Sequence, residues 1–549
     1  MKKNLFNLVL VAMASLALVS CNNAQKMIDA ADQIKIVCTP EVLEVVAGNI
    51  DATVAVTFPA EYFEPKAILE VTPIILYEGG EVAGKPFTYQ GTKITENFKT
   101  VTKEGATIQE KVHFEYVPGM EKSELVGRAK VIWGGKEYPF PADIKIADGV
   151  NTTYMLVEKN GKTNFVPSGY QAVIPETAEA QIMYLINSAN VRNTELKSAS
   201  VKDFQEALKA LAADERREIK GTEIVAYASP DGAVALNDKL SADREKSASK
   251  AFGKVTKKLE TGAVTTKSIG EDWEGFQELV NASNMEDKAL ILRVLSMYSD
   301  PTVREREIKN MSAVYGTLAN NVLPQLRRAR FITNVEYTNY TAEELADLVE
   351  NNIDILDEPA LLEAAKNAKE NDAKLAIYKQ AIKKYDSDAA KINSAIVKLN
   401  EGNVAAAKSF VKDVNDKNSQ YANNVNGAIA LREGKLDEAA KCFNAAGNFA
   451  DANANKAVLD ILNGKYNDAA KKLAGTGDCN EALAYILTNQ LDKASAAIKC
   501  DCPKSNYKKA IIAARKGNVS EAKACLEKVN KNEKLAAKAA KDVEFLKVK

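Results

Sequence analysis

Histidine is almost absent from this chain: His113 stands alone among 549 residues. That scarcity leaves triad chemistry and histidine acid–base catalysis little to work with, and rules out a site built from several histidines. No Gly-x-Ser-x-Gly, His-Glu-x-x-His, P-loop or dinucleotide-binding pattern occurs either. An excess of either charge is also missing: 73 basic and 74 acidic side chains leave a net charge of −1. There is no electrostatic reason to expect a nucleic-acid partner or a strongly anionic surface. Beyond residue 19 no apolar run approaches a membrane span. No enzyme, cofactor or metal is expected. His113 lies in Val112–Val117, where Val112, Phe114 and Tyr116 share one face and His113 and Glu115 the other. It is expected to be a solvated strand residue.

Cysteines are few and unevenly placed. Cys21 follows an apolar leader, Cys38 is isolated, and Cys442, Cys479, Cys500, Cys502 and Cys525 all fall in the last quarter. Five in one region leaves one unpaired unless Cys38 reaches it. Cys500-Asp501-Cys502 has C-x-C spacing, unlike the C-x-x-C of thioredoxin-like sites. A structural or incidental role is expected for these cysteines, with a disulfide the special role that fits best.

The first 20 residues have the form of a targeting segment. Lys2 and Lys3 precede an apolar stretch from Leu5 to Val19, which ends in Leu18-Val19-Ser20-Cys21. This resembles a bacterial lipobox, which implies acylation of Cys21 and a lipidated linker over 21–30. Each buried CH₂ of an acyl chain contributes about 0.8 kcal/mol, so several chains anchor stably. Position 22 is Asn, not the Asp of an inner-membrane retention signal, and no acidic cluster follows. The expected location is the outer membrane, periplasmic face.

Three regions follow. Residues 31–150 carry short strands rich in Val, Ile, Phe and Tyr, separated by Gly79-Gly80, Pro118-Gly119 and Gly134-Gly135. An immunoglobulin-like sandwich fits that spacing. Residues 151–178 read as a polar connector. Residues 179–338 alternate strand and helix: strands at Gln181–Asn187, Glu223–Ala228 and Phe331–Tyr337, helices at Val201–Ala212 and Ala235–Leu259, and an extra helical segment at 271–327. Residues 341–549 are helical and repetitive. A Gly-x-apolar-x-x-Ala unit recurs from Gly402, Gly434, Gly464 and Gly517, with a degenerate copy from Asn489. Gly or Asn suits a turn at positive φ, and the small Ala lets helices approach. The copies resemble tetratricopeptide repeats, whose ideal period is about 34 residues. A solenoid that binds a protein partner follows, closed by a capping helix in the Lys-rich stretch 531–549.

The segment Thr222–Arg244 contains Ser229-Pro-Asp231-Gly, then Asn237-x-x-Leu240-Ser241-x-x-Arg244. This resembles the core of the OmpA-like domain, the module that holds envelope proteins to peptidoglycan. Gly270-Glu-Asp-Trp273-Glu-Gly275 and Leu323-Pro324-Gln-Leu326-Arg327 are similar to segments of such domains in Bacteroidetes. The resemblance implies that Arg244 grips a stem-peptide carboxylate, as a guanidinium does bidentately. It also places Ser229 where the family has the aspartate that takes the ligand's ammonium, with Asp231 as a substitute in the turn. Asn237 is expected as a cap or turn residue. The expected function is a non-enzymatic lipoprotein that tethers the outer membrane to peptidoglycan and scaffolds a protein partner. The alternative is an interaction subunit of an assembly, secretion or fimbrial machine whose OmpA-like domain no longer binds peptidoglycan.

Overall fold

The computed structural model of the chain describes residues 23–548. The expected targeting segment and Cys21 lie outside the described residues. Contacts divide the chain into two compact units, one running up to Val166 and resuming at Asp388, the other spanning Pro167–Ser387. The break at Ser387 falls inside the helical stretch that reads as continuous in the sequence.

The first unit joins a β region to helical repeats. Ala67–Tyr77 and Ser123–Trp133 pair antiparallel along their whole lengths, as do Asn49–Phe58 and Ala106–Glu115. Val42–Val46 pairs with Asn49–Phe58 on one side and with Ile144–Asn151 on the other, so the strands join in one curled eleven-stranded sheet. Alternation holds as expected in Ala106–Glu115: Val112 and Phe114 are buried, and His113 is exposed beside Asp51 at 2.8 Å. The interior of this region holds Leu43, Ile50, Val54, Phe114 and Leu125. The same cluster continues into the repeats through Phe443, Ile461, Leu483, Tyr507 and Phe545. At about 1.5–3 kcal/mol per buried side chain, this shared core binds sheet to helices.

The repeats pair their helices as the glycine spacing predicts. Asp388–Asn400 packs on Val404–Lys412, Gln420–Arg432 on Leu436–Ala445, and Ala450–Leu462 on Tyr466–Leu473. Cys479–Leu487 then packs on Leu491–Ala497 and Pro503–Arg515 on Val519–Val529, with Glu533–Lys541 after them. The turn residues Gly402, Gly434, Gly464 and Gly517 have φ between +74° and +80°, and Asn489 takes the same role at +55°. The small residues Ala407, Ala439, Ala469, Ala494 and Ala522 are buried at the helix contacts.

The second unit contains a four-stranded sheet in the order Val173–Met183, Arg328–Thr338, Arg217–Ala228, Ala263–Glu271. The last pair is parallel because the helix Val234–Val255 carries the chain across between them. The first strand begins at Val173, inside the stretch expected to be connector. The strand Ala263–Glu271 was not expected: its residues stay exposed up to Ile269, so no apolar alternation marks it. Phe204, Phe252 and Phe331 form the core, with ring centroids 5.0 to 6.3 Å apart. Between Glu271 and Arg328 lie four helices with their own core of Phe276, Val280, Ile291 and Leu295. Three further helices, from Ala342 to Tyr385, complete this unit. No helix of the described residues is long and apolar enough to cross a membrane.

Candidate functional site

Two places gather the polar chemistry of the chain, one in each unit. The first holds the residues singled out by sequence. Ser229 follows the strand Arg217–Ala228, the turn carries Asp231, and the helix Val234–Val255 presents Asn237 and Arg244. Asn237 is buried and donates from Nδ2 to the Gly232 carbonyl (2.9 Å) and to Glu271 Oε1 (2.8 Å), which ties the turn to the neighbouring strand. Ser229 Oγ donates to Asp231 Oδ1 at 2.7 Å, and Arg327 donates to Asp231 Oδ2 at 3.0 Å. Asp231 is thus paired with Arg327, a residue that sequence reasoning did not single out. Its signal was present as the last residue of Leu323-Pro324-Gln-Leu326-Arg327.

Arg244 is 0% exposed. Its Nε donates to the Ser188 carbonyl (3.0 Å), Nη1 to Tyr227 (2.8 Å) and Nη2 to Leu185 (3.2 Å). The guanidinium sits 5.0 Å over the Tyr184 ring, a cation–π arrangement. Burial pulls its pKa down to about 10, with Tyr184 opposing. All three nitrogens are engaged by main-chain oxygen, two in the loop 185–188 and one at Tyr227 of the strand, so the buried guanidinium holds that loop over the helix.

The second place is the groove of the repeats. Residues 157–166, part of the expected connector, run along it as an extended strap. Asn480 Oδ1 accepts from the Glu158 N–H (2.8 Å), and its Nδ2 donates to the Glu158 carbonyl (3.0 Å). Asn455 does the same to Lys162, at 2.6 and 2.9 Å. Asn393 does it to Val166, at 2.7 and 3.2 Å. Asn424 adds a second donor to the Lys162 carbonyl at 2.9 Å and accepts from Asn455 at the same distance. Asp451 takes both the backbone and the side-chain N–H of Asn164, each at 2.8 Å. A carboxamide has one acceptor and one donor side by side, so it completes both backbone groups of one residue as a neighbouring strand would.

The clamping side chains are themselves buried: Asn393, Asn424, Asp451, Asn455 and Asn480 are each at most 3% exposed. Left unpaired there, each would cost about 1–3 kcal/mol. Burial pushes the Asp451 carboxyl up, and the bond from the Asn164 N–H opposes that. At the Glu158 end, Lys504 lies 3.3 Å from the Glu158 carboxylate. Gly161 fits the strap to the helix surface. Its φ is +71°, and a Cβ there would stand 2.6 Å from the Ala428 Cβ. The asparagine contacts to the strap are to main chain, while Asp451 also takes the Asn164 side chain, Lys504 pairs with Glu158, and position 161 leaves no room for a Cβ. No cluster of three or more His, Cys, Asp or Glu side chains suited to a metal occurs among the described residues.

No protein family matches the sequence, and no curated protein is similar to it. Among solved structures, it is similar to a tetratricopeptide repeat protein from Parabacteroides merdae, at 13% identity over 36% of this chain and 90% of that one, with a TM-score of 0.29. A thermophilic tetratricopeptide repeat protein of Thermus thermophilus matches at 17% identity over 37% and 98%, with a TM-score of 0.20. The APC/C hetero-tetramer Cut9–Hcn1 matches at 12% identity over 66% and 78%, with a TM-score of 0.30. The repeat architecture stands on the helix pairs themselves.

Proposed function

We propose that this chain is a non-enzymatic scaffold of the bacterial envelope, anchored by lipid on Cys21 to the periplasmic face of the outer membrane. It serves as an interaction subunit of an assembly, secretion or fimbrial machine, and its OmpA-like domain does not grip peptidoglycan. One observation carries the choice over a wall tether: the Arg244 guanidinium is fully buried and bonded to three backbone carbonyls. A cation so placed cannot reach a stem-peptide carboxylate without breaking the loop that covers it. Ser229 in the expected aspartate position, and the pairing of Asp231 with Arg327, support the same reading. The protein partner is assigned to the outer faces of the repeats, because the strap 157–166 already takes the polar rungs of the groove.

The test is co-sedimentation of the lipid-free protein with purified peptidoglycan sacculi. The wild-type chain is expected in the supernatant. Pelleting that saturates and is abolished in Arg244→Lys, with the circular dichroism unchanged, would restore the tether and place its site at Arg244.

A further inference from the structure

Cys500 and Cys502 flank Asp501 in the connection between the helices Leu491–Ala497 and Pro503–Arg515. Both are exposed free thiols, and their sulfurs lie 3.3 Å apart. The Ser505 hydroxyl touches both, at 2.9 Å from Cys500 Sγ and 3.4 Å from Cys502 Sγ. The loop is held from below and from the side. Asn506 Nδ2, from a side chain 1% exposed, donates to the Asp501 carbonyl (2.9 Å) and the Cys502 carbonyl (3.1 Å). Lys528 and Lys509 pair with the Asp501 carboxylate at 2.9 and 3.1 Å. The two sulfurs are therefore preset within reach of each other on the surface, in a loop with few ways to move apart.

We propose that Cys500 and Cys502 form a redox-active dithiol that interconverts with an intraloop disulfide by exchange with external thiol–disulfide couples. Cys502 is the attacking sulfur. It stands at the N-terminus of the helix Pro503–Arg515, where unpaired N–H groups favour a thiolate. The Ser505 hydroxyl above all, with the Ser505 and Lys504 backbone N–H groups and the Cys500 thiol, brings its pKa down to about 7, although burial opposes them. The Cys502 thiolate attacks one sulfur of an external disulfide, RS–SR. That S–S bond breaks, one RS⁻ leaves and takes a proton, and a mixed disulfide remains on Cys502. Cys500 loses its proton and attacks the Cys502 sulfur, and the second RS⁻ leaves. Two protein thiols are oxidised to one disulfide, and one external disulfide is reduced to two thiols. A small ring closed on an exposed loop is the labile kind of disulfide, so the step reverses readily.

The test uses the full mature chain equilibrated in glutathione redox buffers, then acid-quenched and digested with trypsin. Cleavage after Lys499 and Lys504 releases both sulfurs in one short peptide. The oxidised form is expected as that peptide lighter by two hydrogens, with an intermediate ratio across ordinary glutathione buffers. Cys500→Ser is expected to leave a glutathione adduct on Cys502, and Cys502→Ser to lose most of the reaction rate. The proposal is overturned if the peptide stays fully alkylatable in oxidised glutathione, or if Cys500 appears cross-linked to Cys479 or Cys525. Circular dichroism of both variants, expected unchanged, separates these outcomes from misfolding. None of the readouts depends on the envelope reading.

Discussion

Asn455 completes both backbone groups of Lys162 and also donates to Asn424, so three elements meet on one carboxamide. Replacing it by Ala takes the acceptor from the Lys162 N–H and the donor from the buried Asn424 carboxamide oxygen, while the Lys162 carbonyl keeps Asn424. Asn455→Ala is expected to destabilise the first unit by about 1–3 kcal/mol in urea unfolding, and to speed hydrogen exchange at the Lys162 amide. Unchanged exchange at Lys162 would mean that the strap is held by something other than the asparagines. Arg244 shows how far residue type was legible. Its helix neighbours Leu240, Ser241, Ser247 and Ala248 already show that no carboxylate on its own helix face pairs with it. The carbonyls that take its donors come from Leu185, Ser188 and Tyr227. Main-chain acceptors have no signature in sequence, because every residue has one.

The strap shows the same limit for a whole element. Polar residues, Gly161 and Pro167 mark 151–178 as connector, and in local terms it is one: residues 157–166 have no helix or strand of their own. What orders them lies more than 200 residues further on, in side chains that local propensity assigns to caps and turns. One sign was visible. Asn393, Asn424 and Asn455 recur at an interval of 31 residues, in step with the glycine turns. The glycine turns, by contrast, needed only a local argument, and Asn489 takes its positive φ as expected. Gly161 is the element's tightest point. Gly161→Ala puts its Cβ 2.6 Å from the Ala428 Cβ, a clash, and demands an unfavourable φ. It is expected to raise protease cleavage within 157–166 and to lower the first unit's stability by about 1–3 kcal/mol. A variant as resistant as the wild type would argue that the strap already sits loosely.

At the scale of the molecule, Glu544 closes the first unit on itself. Arg515 Nε donates to it at 3.0 Å, Thr153 Oγ1 at 2.7 Å and Asn151 Nδ2 at 2.9 Å. Burial pushes its carboxyl up, but the hydrogen bond and charge of Arg515, with Thr153 and Asn151, hold it below the ordinary value of 4.5. A folded-state pKa below the unfolded one means that the native state binds the proton less readily. The stability from this group is therefore present above about pH 4.5 and lost as pH falls below it. The first unit is expected to soften on acidification, and Glu544→Gln to flatten that part of the profile in thermal unfolding. A profile identical in the variant would assign acid sensitivity to other carboxylates.

The first unit is also interrupted in the chain: its sheet precedes Val166, and the helices that cover it follow Asp388. Phe545 and Val548 are buried in the same core as Leu43 and Val45. A ribosome therefore delivers the opening strands and the strap hundreds of residues before their cover. At about 5–20 residues per second, that is an interval of tens of seconds. Through that interval the strap's amides and the sheet's apolar face belong to whatever binds nascent chains. The arrival of the helical cover, as far as Phe545 and Val548, decides when the protein no longer needs that company.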